Sequence, residues 1–171
     1  MTIDLSDIRI RPYTSSDIPI VPEKHVELYK EDHNYPPDTF GKYVNDALAD
    51  LPLSGGPLWI AEYEHSPASS SEPDPIWAGC VSIIPTDEPT GRLRFLLVAP
   101  AFRSCGLGRR LMEVALDYCL SRNFRKVTLS TAADCVSAHK LYRHFGFQRV
   151  KTVEGTPWGG GIHEWWEKEM I

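Results

Sequence analysis

Residues 95–112, "FLLVAPAFRSCGLGRRLM", set Arg103, Arg109 and Arg110 around Gly106 and Gly108 with no acid among them. The run begins apolar, breaks at Pro100, turns basic and passes into a helical pattern. Strand, glycine turn and helix start in that order suit the holding of an anion. The first N–H groups of a helix have no intrahelical acceptor, and the helix end carries about half a positive charge. Glycines at that point let a phosphate approach the backbone closely. The stretch therefore reads as a pyrophosphate cradle. The familiar nucleotide patterns fit it poorly. A dinucleotide fold needs GxGxxG, and only G-x-G is present. A P-loop needs a lysine after its last glycine, and none follows Gly108.

The elements that position this stretch can be read from periodicity. Ile8 to Tyr13 alternates as a short strand, and Asp17 to Lys30 reads as a first helix disturbed by Pro19 and Pro22. Pro37 and Asp38 open a second helix expected to end near Leu48, before the breaker "LPLSGGP". Strands follow at Leu58–Glu64, Ile76–Ile84 and Arg92–Val98, the first two separated by a polar loop at His65–Pro75. Gly106 to Arg122 carries apolar residues at helical spacing, including Leu107, Leu111, Val114 and Ala115. Lys126–Thr131 is a buried strand, and "SAHKLYRHFGF" is a short helix closed by Gly146. "QRVKTVE" and "IHEWWEKEM" are the last two strands. The order predicts one mixed α/β domain.

Composition narrows the function. The 171 residues carry a formal charge of −5 and are 42% hydrophobic, enough for a real core. The acidic balance argues against nucleic acid or a membrane surface as partner. Cys80, Cys105, Cys119 and Cys135 form no CxxC pair, so reduced thiols in a cytoplasmic protein are expected. "MTIDLSDIRIRPY" has no apolar h-region, so no signal peptide is expected, and no apolar run is long enough to span a bilayer. No metal is expected: "HEWWE" lacks the second histidine of a zinc helix and alternates as a strand. His139 and His144 read as exposed helix residues.

"VAPAFRSCGLG" resembles the acetyl-CoA-binding motif of the GNAT superfamily of N-acetyltransferases, R/Q-x-x-G-x-G/A after a strand ending in V-x-P. A second GNAT pattern, A-x-x-L-Y-x-x-x-G-F, appears downstream as "AHKLYRHFGF", Ala138 to Phe147. The element order and the opening "IRIRPYTSSD" extend the resemblance to most of the chain. "TPWGGGIHEWWEKEM" resembles the tail of GNAT domains fused to MarR-type regulators, here expected without the regulator. The resemblance implies a central, largely antiparallel mixed sheet of about six to seven strands with about four helices. It also implies a V-shaped splay between Arg92–Val98 and Lys126–Thr131. It implies acetyl-CoA as co-substrate, its pantetheine along Leu96, Leu97 and Val98. Its pyrophosphate would lie on the backbone of Arg103, Ser104, Cys105, Gly106, Leu107, Gly108 and Arg109. Tyr142 matches the family's general acid. Phenol and thiol have reference pKa values of about 10 and about 8.5, close enough for proton transfer to a departing thiolate.

Two positions depart from the family pattern. Cys135 stands where many members have an asparagine that contacts the CoA arm, and "GRLRF" has Arg92 and Arg94 where many have a catalytic glutamate. The general base is thus open between bulk water, acting on a partly neutral amine, and Glu31, Asp32, His33, Glu62, His163 or Glu164, each read first as a solvated surface residue. Trp158 is a candidate wall of the acceptor site, and the acids of the "YKEDHNYPPDTF" loop are candidates to attract a cationic amine. The leading expectation is acetyl transfer to the primary amine of a small molecule by direct attack. The alternatives are a protein lysine or N-terminal acetyltransferase, and a non-catalytic acyl-CoA-binding module. A homodimer paired through a sheet edge is the expected assembly.

Overall fold

The computed structural model describes residues 2–64, 74–87 and 89–171. The loop expected at His65–Pro75 lies, up to residue 73, outside the described residues. The elements run β1 (Ile8–Pro12), α1 (Ile20–His33), α2 (Pro37–Ser54), β2 (Leu58–Tyr63), β3 (Ile76–Pro85), β4 (Thr90–Val98), α3 (Leu107–Ser121), β5 (Lys126–Ala132), α4 (Val136–His144), β6 (Gln148–Glu154) and β7 (Ile162–Glu169). The seven strands form one sheet in the order β1-β2-β3-β4-β5-β7-β6. Every neighbouring pair is antiparallel except β4 and β5, which are parallel. The mixed, largely antiparallel sheet with four α-helices agrees with the sequence reading. No helix among the described residues is long and apolar enough to cross a membrane.

The two sheet faces carry separate cores. Leu111, Met112, Ala115 and Cys119 of α3 pack with Val127, Leu129 and Trp166 on one face. Phe40, Val44, Leu48 and Leu51 of α2 pack with Leu58, Ile60 and Leu97 on the other. Helical spacing of these apolar residues is what turns each helix face onto the sheet.

Three boundaries move. The first helix starts later than expected because Asp17 is used as a cap. Its Oδ2 accepts the Thr14 N–H at 2.6 Å and the Arg11 guanidinium at 2.8 Å, closing a 3-10 turn at Ser15–Asp17. Pro22 is tolerated in the first turn of α1, where its missing N–H would have had no helical acceptor. The second helix runs past Leu48 to Ser54 and includes Pro52. Pro52 has no N–H to give the Leu48 carbonyl, so one hydrogen bond of the last turn is lost, and fully buried Leu51 holds that turn on the sheet. The third helix begins at Leu107 rather than Gly106, which becomes its N-cap at φ +92°.

Candidate active site

β4 and β5 pair only at Thr90↔Lys126, Gly91↔Val127 and Arg92↔Thr128. Beyond Arg92 they diverge, while β5 stays paired on its other edge with β7, from Lys126↔Glu169 to Ala132↔His163. A bulge in β4 accompanies the divergence. Between the pairs Ser82↔Arg94 and Cys80↔Leu97, two residues of β4 oppose one of β3. Phe95 takes the left-handed conformation there, with φ +57°, and its carbonyl accepts the Cys80 thiol at 3.0 Å. A bulge bends its strand and re-aims side chains. The splay leaves the β5-facing edge from Leu96 to Val98 without a partner strand.

The cradle lies where β4 leads into α3. Ser104 and Gly106 both have positive φ, +65° and +92°, and bracket Cys105. The backbone N–H groups from Ser104 to Arg109 have no hydrogen-bond acceptor among the described residues. Side chains there are committed elsewhere. Leu107 is buried in the core, Cys105 Sγ donates to Phe102 O at 3.0 Å, and Arg109 pairs with Glu113 at 3.1 Å. Arg103 reaches across to Asp32 of α1 at 2.6 Å and to Val98 O at 3.2 Å. Arg110 holds the N-terminal segment through the carbonyls of Leu5 and Ile8, both at 2.9 Å.

Two hollows meet at the splay. A groove of about 360 Å³ runs along Leu96, Leu97 and Val98, past Arg103 and Gly108, to α4. A smaller cavity of about 90 Å³ lies deeper, lined by Tyr142, Arg94, His25 and Trp158 among others. Tyr29, Leu96 and Cys135 line both. Tyr142 is 6% exposed, and its hydroxyl makes no hydrogen bond to any described residue. Burial raises its pKa, with the Cys135 thiol adding to the shift, so it is fully protonated at neutral pH. Burial also raises the Cys135 thiol, which lies 3.7 Å from the Tyr35 hydroxyl. The outer wall is aromatic: the Trp158 ring has the Tyr35, Phe40 and Tyr43 rings at 5.0–5.1 Å, and Thr39 donates to its carbonyl.

No aspartate or glutamate lines the small cavity among the described residues. The six candidate bases lie elsewhere. Asp32 and His33 line the groove, where Asp32 is paired with Arg103. Glu31 is exposed. Glu62 and Glu164 are not the solvated residues expected. Glu62 binds Arg11 at 2.6 Å. Glu164 is 3% exposed, accepts from Arg149 and the Trp166 indole at 2.9 and 3.1 Å, and lies 3.3 Å from His139 Nε2. His139, expected to be exposed, is buried by the same network and by its bond to Ala132 O. His163 is also buried, against Trp165 at 4.3 Å, and its Nε2 has no partner among the described residues. The acids of the first loop do not face the cavity either: Asp38 is exposed. His33, Asp134 and Cys135 bring potential ligand atoms within 4.8 Å of one another. Tyr35 donates to the Asp134 carboxylate at 2.6 Å, and His33 Nδ1 lies 3.3 Å from it.

The sequence reading missed His25. Its Nδ1 donates to Val21 O at 2.8 Å, so the neutral ring carries its lone pair on Nε2. Burial pulls its pKa down to about 4. The signal was present: Val21, His25 and Leu28 share one face of α1 at helical spacing, which turns the imidazole inward.

The sequence profile described as "Acetyltransferase (GNAT) family" matches residues 23–147. The chain belongs to this family. A 68-residue segment is 35% identical to N-acetylaspartate synthetase of Danio rerio, covering 40% of this chain and 24% of that protein. The chain thus spans about a quarter of that relative's length. A GNAT-family acetyltransferase structure from Staphylococcus aureus Mu50 superposes with TM-score 0.72 at 18% identity, covering 96% of this chain and 99% of that one. A GNAT-family structure from Elizabethkingia anophelis with acetyl-CoA bound superposes at 0.64 and 17% identity, covering 96% and 99%. At such identities the structures show a common fold. Within the GNAT fold of this chain, the splay, the free N–H run and the Tyr142 cavity adjoin one another.

Proposed function

We propose that this chain transfers an acetyl group from acetyl-CoA to the primary amine of a small molecule by direct attack. The observation that carries the reading is the continuity of three features. The unpaired N–H run from Ser104 to Arg109 opens onto the groove along Leu96 to Val98, and that groove shares its walls with the cavity holding Tyr142. The bound acetyl-CoA of the Elizabethkingia anophelis relative supports the choice of co-substrate. The name of the Danio rerio relative supports a small-molecule product. A cavity of about 90 Å³ behind an aromatic wall favours a metabolite over a peptide chain.

Acetyl-CoA supplies the activated acyl group. The free edge of β4 binds the pantetheine as an added strand, and a backbone N–H of that edge stabilises the oxyanion. The N–H groups from Ser104 to Arg109 hold the pyrophosphate. His25, neutral at physiological pH, offers Nε2 to an N–H of the attacking amine. Tyr142 gives its proton to the departing thiolate. As the C–N bond forms and the C–S bond breaks, one proton leaves the nitrogen for solvent and restores the phenol. The products are an amide and free CoA thiol.

Calorimetric titration of acetyl-CoA, with NADH and ADP-ribose as controls, tests the cradle. Thiol release over an amine panel tests transfer. Tyr142→Phe removes a hydroxyl with no protein partner, so the variant folds and binds acetyl-CoA as the parent does. Its kcat falls by about 100-fold. Lack of acyl-CoA binding overturns the proposal, and tight binding without turnover of any amine leaves only the binding-module alternative.

A further inference from the structure

Arg92 and Arg94 stand two residues apart on one face of β4, both half-buried. Arg94 lines the cavity beside Tyr142. Arg92 lies behind it and donates to Ser130 Oγ of β5 at 3.0 Å. Neither guanidinium has a carboxylate at ion-pair distance among the described residues, and neither stacks on an aromatic ring there. Five arginines elsewhere have a carboxylate partner: Arg9 with Glu64, Arg11 with Asp17 and Glu62, Arg103 with Asp32, Arg109 with Glu113, and Arg149 with Glu164. Arg110 is held by two backbone carbonyls, and Arg122, Arg125 and Arg143 are exposed to water. The chain carries a net charge of −5, so acids are not scarce. They are absent from this cavity.

An uncompensated guanidinium withdrawn from water is costly, and two side by side repel. Burial and the neighbouring Arg94 both act against the charge on Arg92, and the weaker influence of Tyr43 and Asp50 favours it. His163, whose Nε2 is unpartnered among the described residues, is held neutral by burial and by these same two arginines. The cluster is positive and rich in donors, with Ser130 Oγ as an acceptor for Arg92 and no carboxylate at ion-pair distance among the described residues. The phosphates of the co-substrate do not reach it. From Arg94 to Val98 the strand spans about 13 Å, and the cradle lies beyond Val98.

We propose that Arg92 and Arg94 form the carboxylate-binding site of the acceptor, which is therefore an amino acid. The inference rests on the acetyltransferase reading above and names its substrate class. Arginine is suited to the role because its planar fork meets a carboxylate through two parallel hydrogen bonds. Arg94 and Leu96 line the same cavity, so one small acceptor presents its carboxylate to the guanidinium and its amine to the thioester. A polyamine is repelled there, and an arylalkylamine leaves both guanidiniums unpaired.

The test is a steady-state comparison by thiol release at saturating acetyl-CoA. The acceptors are the proteinogenic L-amino acids and β-alanine, the carboxamide of each acid turned over, ethylamine, spermidine and tyramine. At least one amino acid is acetylated with kcat/KM about 100-fold above its carboxamide. Arg94→Met removes that preference, lowering kcat/KM for the acid by about 100-fold. It lowers the carboxamide rate far less than the rate for the acid, and an unchanged calorimetric Kd for acetyl-CoA, which is bound outside this cluster, shows that the fold is retained. Arg94→Lys restores part of the preference, since it keeps the charge and loses the fork. Turnover of spermidine, tyramine or the carboxamides as fast as the acids overturns the assignment and leaves the acetyltransferase reading standing. Failure to bind acetyl-CoA overturns both.

Discussion

His25 is the residue at which burial acts most directly on protonation. It is fully enclosed between α1 and β4, against the Phe95 ring at 5.7 Å and the Tyr29 ring at 6.0 Å. Desolvation lowers its pKa from 6.5 to about 4. The unfolded chain therefore binds this proton first. Stability is fully present above pH 6.5 and is lost as pH falls toward 4. The slope is about 1.4 kcal/mol per pH unit, for a total of about 3 kcal/mol. Urea midpoints measured from pH 7 to pH 4 should fall more steeply for the parent than for His25→Leu. Equal slopes would mean the imidazole is not held neutral. The spacing of Val21, His25 and Leu28 shows in the sequence that the ring turns inward, but not what encloses it. His25, His139, His163 and Glu164 are buried by partners distant along the chain, as Glu164 is by Arg149 and Trp166. Tyr142 and Gly106 stand in contiguous patterns, so the sequence alone marks them.

At the scale of elements, the junction of β4 and α3 carries the argument about the co-substrate. Gly106 is needed for its φ of +92°, but Gly108 is not needed for packing. A Cβ on Gly108 would meet Leu141 Cδ2 at 3.5 Å and Val98 Cγ2 at 3.8 Å, which is ordinary contact. The missing side chain thus leaves room in the groove, not in the protein. Gly108→Ala should raise stability by roughly 0.4–1 kcal/mol through the unfolded state and the helix. It should weaken acetyl-CoA binding at the same time. Urea unfolding and calorimetry on one preparation read both effects. A variant that binds as tightly as the parent would remove Gly108 from the cradle. The elements themselves were largely legible, because α3 repeats apolar residues at helical spacing and the strands alternate. The bulge was not. Phe95 is a bulky residue at positive φ, held by the Cys80 thiol and by packing across two strands, and no local pattern announces it. The extension of α2 through Pro52 was hidden for a similar reason: burial of Leu51 outweighs the proline.

At the scale of the molecule, the splay divides the sheet into β1–β4 and β5–β7-β6, joined by the three pairs at the foot of β4 and β5. Above them, contact between the two parts is made by side chains. Trp158, ahead of β7, packs on Tyr35, Phe40 and Tyr43 from the α1–α2 side, and Tyr35 donates to Asp134 after β5 at 2.6 Å. A ligand along Leu96 to Val98 would supply backbone hydrogen bonds where the sheet has none and would touch both parts. Because it binds only the folded chain, acetyl-CoA at 100 times its Kd stabilises by about 2.7 kcal/mol. For a chain of this size, that raises Tm by roughly 5–10 °C. Hydrogen exchange adds the location. The amides of Leu96 to Val98 and of Ser104 to Arg109 should slow on binding, while those of β1 and β2, remote from the groove, should not. A rise in Tm with protection spread evenly over the sheet would argue against a ligand lying in the splay. Protection confined to these two segments is what a strand-like ligand anchored by its pyrophosphate requires.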